Sequence, residues 1–302
     1  MPEVPADREA AACRAFALRA EVDRHNRLYH GLDAPEISDA AYDALVAELV
    51  AIETAFPDLV ILDSPTQRVG APPSAAFAPV RHAARMYSLD NAMSLDELDA
   101  WFERLAREVG GRDCAFVAEL KIDGASISLT YEDGALLRAA TRGDGVTGED
   151  VTPNIRTIKS VPLRLAPEAL PGSLNDKLFG PEEWPALEVR GEVYMSAVSF
   201  ERLNEEQAEA DRPLFANPRN AAAGALRQKD PAVTASRDLS TFIYQLAEPR
   251  ALGLRTQSEA LDWLRLAGFR VNPDIETCAD ADQVRAFCER ALERRGELPY
   301  EI

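Results

Sequence analysis

No apolar run in this chain is long enough to cross a bilayer, and its opening residues, Met1-Pro2-Glu3-Val4-Pro5-Ala6-Asp7, hold neither a basic stretch nor an apolar core. Neither a membrane span nor a secretory signal is expected, and cytoplasmic residence is. Cysteine is scarce: Cys13, Cys114, Cys278 and Cys288 show no Cys-x-x-Cys spacing and have no nearby histidine partners. That pattern argues against a zinc site and a disulfide framework and leaves reduced, structural thiols. Positive charge is in deficit, with 33 Lys and Arg against 51 Asp and Glu and a net charge of -18. Non-specific affinity for duplexes comes largely from neutralising phosphates, so a chain this acidic is not expected to grip nucleic acid strongly by itself. What is present is a globular composition: 46% hydrophobic residues over 302 positions, enough for two domains.

From about residue 7 to 60 the pattern is helical. Phe16, Leu18, Val22, His25 and Tyr29 recur near helical spacing, and Tyr42, Leu45, Leu49 and Ile52 form a second face. Ser38 is placed to cap the second helix, and Gly70-Ala71-Pro72-Pro73-Ser74 reads as a linker. Ser94-Leu95-Asp96-Glu97 is a capping-box pattern opening a further helix. From Cys114 strands dominate, with a hairpin turn at Asp133-Gly134 and strands expected over 135–142, 186–194 and 241–246. Helices are expected near 197–208 and 220–227, and two more follow, one capped by Thr256 with Glu259 and one over about 280–295; residues 166–185 read as an irregular insertion. The order is a small helical domain followed by an α+β domain with antiparallel sheets.

The run Glu119-Leu120-Lys121-Ile122-Asp123-Gly124 stands between two strand patterns, Cys114–Leu120 and Ala125–Tyr131. A lysine set between carboxylates and followed by a glycine turn suggests a covalent nucleophile, once its surroundings favour the neutral amine. Taken alone, the motif reads more simply as a surface lysine paired with Glu119 or Asp123. Further motifs reverse that reading. They are Thr141-Arg142-Gly143-Asp144-Gly145-Val146-Thr147-Gly148-Glu149-Asp150, then Val189-Arg190-Gly191-Glu192-Val193-Tyr194, then Phe215-Ala216-Asn217-Pro218-Arg219-Asn220-Ala221-Ala222-Ala223-Gly224. Each has an ordinary alternative: a glycine turn for 142–145, an edge carboxylate at Glu192, a solvated helix face for Arg219 and Arg227. In order and together, they closely resemble the adenylation segment of the NAD-dependent DNA ligases, and the resemblance runs from about residue 15 to the last residue.

The resemblance implies a small all-helical cap domain (1–69) followed by an antiparallel-sheet nucleotidyltransferase domain of the ATP-grasp-like ligase adenylation kind (70–302). It makes Lys121 the catalytic nucleophile, attacking the AMP phosphorus of NAD with Mg2+ present, releasing nicotinamide mononucleotide (NMN) and leaving lysyl-AMP for later sealing of DNA nicks. Glu119 would read the adenine edge, Ser88 and Leu89 would line its side of the pocket, and Glu192 would meet the ribose. Arg142 would supply a planar donor to ribose or phosphate oxygens. Asp123, Arg219 and Arg227 complete the implied nucleotide contacts, the arginines serving phosphate recognition and the DNA-dependent steps.

The segment Tyr29-His30 with Ser38-Asp39-Ala40-Ala41-Tyr42-Asp43 is, by spacing alone, an amphipathic helical hairpin with surface carboxylates. By resemblance it is the NMN-binding face: Tyr29 stacks on nicotinamide, whose cationic ring suits an aromatic face, while His30, Asp39, Tyr42 and Asp43 contact amide, ribose or phosphate. ATP-dependent relatives lack this element, so it points to NAD as donor.

Family members continue beyond a stretch like Leu298-Pro299-Tyr300-Glu301-Ile302 into an Asp-Gly-Val-Val-x-Lys strand, a further lysine-bearing strand, an OB-fold, a zinc module, a helix-hairpin-helix array and a BRCT domain. The implied adenylation domain is therefore incomplete at its C-terminal end, and nicked duplex DNA is expected to bind only weakly. An inactive NAD- or NMN-binding fragment is the alternative expectation.

Overall fold

A computed structural model describes residues 4–28, 36–61, 63–68, 77–110, 114–169 and 184–302. It begins with two helices, α1 (Arg8–Asn26) and α2 (Asp39–Ala55). Each starts where a side chain accepts from an otherwise unpartnered backbone N–H: Asp7 from Ala10, and Ser38 from Ala41. Ala11, Ala15 and Leu18 pack against Leu49 and Ile52. Phe16, expected on this face, is 76% exposed. The helical rotation of about 100° per residue turns it out once Ala15 and Leu18 face inward. Tyr29 lies outside the described residues. The buried Glu53 carboxylate binds Arg19 and the hydroxyls of Ser64 and Thr66, tying the turn at Pro65–Arg68 to α2.

After the helical unit come β1 (Pro79–Arg81), α3 (Leu95–Glu108), β2 (Phe116–Glu119), β3 (Ala125–Glu132), β4 (Ala135–Thr141), β5 (Thr147–Glu149) and α4 (Thr152–Arg156). The remaining elements are β6 (Leu187–Met195), α5 (Ala197–Glu209), α6 (Pro218–Leu226), α7 (Pro231–Ala235), β7 (Leu239–Leu246), α8 (Gln257–Leu266), β8 (Ile275–Cys278) and α9 (Ala281–Arg294). A four-stranded antiparallel sheet runs β4-β3-β6-β7, while β1 pairs with β5 and β2 with β8.

The strand period of two divides the large sheet. Ile127, Leu129 and Tyr131 of β3, with Leu187, Val189, Val193 and Met195 of β6, enter the main core under α4, α6 and α8. The alternate residues, including Ser126 of β3 and Glu188, Arg190 and Glu192 of β6, form a polar face. A register shift at Arg190/Gly191 leaves Tyr244 as the extra residue between Ile243 and Gln245. Tyr244 follows Phe242 on the polar face, and the bulge beyond it returns Leu246 to the core beside Val189.

The smaller β2–β8 layer packs with α3 and α9; Phe102 meets Phe116 edge-on at 5.2 Å, and Arg285 pairs with Asp99. At the start of α3, Ser94 accepts from Glu97 N–H as a capping box requires, but Glu97 accepts from Met93 N–H rather than that of Ser94. The box at Thr256 and Glu259 is complete. The short elements β1, β5, β8, α4 and α7 carried too little periodicity to be expected, and most of the insertion at 166–185 lies outside the described residues. Among the described residues, no helix is long and apolar enough to cross a membrane.

Candidate active site

Lys121 sits in the turn that leaves β2 for β3, so it joins two different sheets. Its neighbours fix it. Ile122 is buried with Tyr194, Phe242 and Tyr300, and Leu120 packs against that cluster, which leaves Lys121 pointing out. The Asp123 backbone N–H donates to the Glu301 carbonyl at 2.8 Å, and the Asp123 carboxylate accepts from Arg219 Nη1 at 2.8 Å. Gly124 is dictated by space: a Cβ there would lie 2.2 Å from the Val193 carbonyl oxygen and 2.9 Å from Glu192 Cγ. Glycine lets the lysine turn press against β6 at Glu192.

Glu192 stands on the polar face directly across from Ser126, whose hydroxyl donates to Glu192 Oε2 at 2.8 Å. Burial pushes the Glu192 carboxyl above its ordinary range, although the Ser126 bond and the charges of Lys121, Arg219 and Arg142 all pull it down. Those three cations thus share the field of one buried carboxylate. Tyr244 lies beside it, its phenol pushed up to about 12, first by burial and then by the Glu192 charge. At the end of β2, Glu119 accepts from Gln257 Nε2 at 2.9 Å, and burial again raises the carboxyl against that bond and the Arg265 charge.

The Arg142–Gly145 turn borders this group. Arg142 N–H donates to the Ser126 carbonyl, and Asp144 accepts from the backbone N–H groups of Val146 and Thr147, which hold its carboxyl below the usual range. Gly145, at φ +89°, leaves room for the Met86 carbonyl, which a Cβ would approach to 2.5 Å. The chain before Ser88 is anchored by Arg190, whose buried guanidinium binds Glu188 Oε1 (2.8 Å) and the carbonyls of Ala84 (2.7 Å) and Arg85 (3.2 Å).

Of the residues expected at the site, Lys121, Glu119, Asp123, Arg142, Glu192 and Arg219 gather on one side of the large sheet. Ser88 and Leu89 follow the anchored segment, with Leu89 72% exposed. Arg227 instead pairs with Glu149 at 2.8 Å, at the surface. In the helical unit, the Tyr42 hydroxyl donates to Asn26 Oδ1 at 2.8 Å, and Asp43 is exposed. Tyr29 and His30 lie outside the described residues, as does the side chain of Asp39. Sequence reasoning missed Ser126, Tyr244, Gln257 and Arg190. Ser126 had a signal in the alternation of β3, but the other three depend on pairings far apart in the chain. Among the described residues, no group of three or more His, Cys, Asp or Glu side chains could hold a metal ion.

The site therefore combines an exposed amine, two guanidinium groups, two half-desolvated carboxylates and a phenol, the functional groups that a nucleotide's phosphate, sugar and base require. Residues 74–302 match the family model of the NAD-dependent DNA ligase adenylation domain, and residues 8–70 match the DNA ligase-like N-terminal NAD+-binding domain. The chain belongs to the NAD-dependent DNA ligase family. It is 49% identical over 294 residues to the DNA ligase of Desulforudis audaxviator, covering 97% of this chain and 42% of that protein. It is 50% identical over 307 residues to the DNA ligase of Thermomicrobium roseum, covering 99% of this chain and 42% of the relative. The chain thus spans about two-fifths of the length of these curated relatives.

Proposed function

We propose that this chain carries out the adenylation step of an NAD-dependent, nick-sealing DNA ligase in the cytoplasm. Residues 1–69 form its NMN-binding cap and residues 70–302 a nucleotidyltransferase domain. Lys121 Nζ, as the neutral amine, attacks the phosphorus of the AMP half of NAD. A P–N bond forms, the P–O bond to NMN breaks, NMN leaves with the bonding pair, and the amine proton passes to solvent. Arg142 and Arg219 offset charge developing on the phosphate. Glu192, held by Ser126, accepts from ribose hydroxyls, and Glu119 reads the adenine edge. Tyr244, on the same face, offers the base a flat neighbour.

Asp123 orients Arg219, and Ser88 and Leu89 lie on the adenine side. Tyr29, His30, Asp39, Tyr42 and Asp43 receive the NMN half. Arg227, outside the cluster, serves the later transfer of AMP to a nick 5′-phosphate, after which the 3′-hydroxyl displaces it. Mg2+ belongs to this reading through the substrate, since such ions keep several waters and bind phosphate oxygens.

The observation that carries the reading is the packing of the Lys121 turn, through Gly124, against the buried Glu192, with Arg219 held on Asp123 and the Arg142 backbone bound to Ser126 beside it. Intact-protein mass spectrometry after incubation with Mg2+ and either NAD or ATP tests it. The expected result is a gain of one AMP with NAD alone, mapped to Lys121 and absent from a folded Lys121→Ala variant. An adduct with ATP, or none at all beside calorimetric binding of NMN, would overturn it, the latter in favour of a binding fragment.

A further inference from the structure

Gln257 is the first residue of α8, and the completed box of Thr256 and Glu259 fixes that turn: Thr256 Oγ1 accepts from Glu259 N–H at 3.2 Å and Glu259 Oε2 from Thr256 N–H at 3.0 Å. The Gln257 amide nitrogen has two hydrogens, and both are committed. One goes to Glu119 Oε1 at 2.9 Å and the other to the Tyr244 carbonyl at 2.8 Å. The side chain therefore bridges the end of β2 to the bulge of β7, across 138 residues of sequence on the Glu119 side. Neither hydrogen can move without breaking the other bond, so the orientation of the Glu119 carboxylate is set from α8.

We infer that Gln257 is a positioning residue that makes the site select a 6-amino purine over a 6-oxo purine, an inference resting on the reading of Glu119 as the group facing the adenine edge. With Oε1 engaged by Gln257, an ionised Glu119 presents Oε2 to the base, and Oε2 can only accept. The exocyclic amine of adenine donates and matches it. The O6 carbonyl of hypoxanthine or guanine opposes acceptor to acceptor and leaves both unpaired, the kind of mismatch on which sites discriminate most strongly. When the bridge is lost the carboxylate is free to rotate away from the base, so neither its match to an amine nor its clash with O6 is held in place.

The test is titration calorimetry of the 302-residue chain with NAD and with nicotinamide hypoxanthine dinucleotide. The wild type is expected to prefer NAD by about tenfold or more, as the loss of one charge-assisted hydrogen bond implies. Gln257→Met, of similar size at an exposed position, is expected to erase most of that ratio. Glu119→Gln, whose amide can donate to O6, is expected to shift preference toward hypoxanthine, and adding Gln257→Met to it should change the ratio no further. If Gln257→Met weakens both ligands equally and keeps the ratio, the inference falls while the NAD reading stands. If the wild type binds neither dinucleotide, both fall. Melting curves verify the fold of each variant, and Gln257→Glu, which sets two carboxylates together, gives a second route to the same loss of ratio.

Discussion

Replacing Arg190 by methionine removes the cation that ties the 84–86 segment to the polar face of the sheet. Arg190 is only 6% exposed, and its partner Glu188 has a side chain 13% exposed, so the pair is shielded from solvent. Deleting one partner of such a pair leaves an uncompensated buried charge and costs about 3–5 kcal/mol. The carbonyls of Ala84 and Arg85 also lose their donors, but their segment can swing toward water, so their losses do not add in full. For a domain of this size each kcal/mol lowers the melting temperature by about 2–4 °C, which gives a fall of about 6–20 °C. Calorimetric melting is the assay, with limited proteolysis of the 84–93 stretch as a local readout. Arg190→Lys should fall between, because one ammonium cannot serve three acceptors in a forked arrangement. Adding Glu188→Gln to Arg190→Met should recover part of the loss by removing the stranded charge. A drop under about 2 °C, or no recovery in the double variant, would refute the reasoning.

Gly124→Ala places a methyl group 2.2 Å from the Val193 carbonyl; we expect a loss of about 1–3 kcal/mol and no AMP adduct, whereas Gly296→Ala, with nothing within 4 Å, should melt within about 2 °C of the wild type. Glu192 has its folded pKa raised above the unfolded value, so its contribution to stability is fully present below the unfolded value and is lost as pH rises through the folded one. Glu192→Gln should accordingly melt higher than the wild type at pH 7.5, and the gap should close as the pH falls below the ordinary carboxylate range; a gap independent of pH would reject desolvation as its cause. Asp43→Ala should weaken use of NAD far more than sealing of pre-adenylylated DNA by a longer ligase that includes this chain, and equal losses in both assays would reject the cap role.

The elements with sustained periodicity were legible in the sequence, as were the caps. Ser38, Asp133-Gly134 and the Thr256–Glu259 box act where local chemistry puts them, because each is satisfied within four residues. Phe16 was misread because helical spacing defines a stripe without saying which of two neighbouring stripes the partner helix covers. Lys121, Glu119 and Glu192 were singled out as candidates through motifs, yet the sheet that each belongs to was not legible. Tyr244 shares its face with Phe242 by strand alternation, but its approach to Glu192 exists only once β6 and β7 are in register. Gln257 and Arg190 act on groups 138 and about 105 residues away, separations that no local pattern encodes.

The placement of Lys121 between two sheets has a consequence for how function fails. Glu119 comes from the thin β2–β8 layer and Lys121 from the turn that leaves it; Ser126, Glu192 and Tyr244 come from the large sheet, which holds most of the core. Cooperative units of unequal stability can open separately. A two-stranded layer backed by two helices is the weaker unit, so heat or denaturant should disassemble the site while the large sheet remains protected from hydrogen exchange. The working temperature limit of such a protein is then set by the docking of its minor layer, and a melting point read from its bulk secondary structure overstates it.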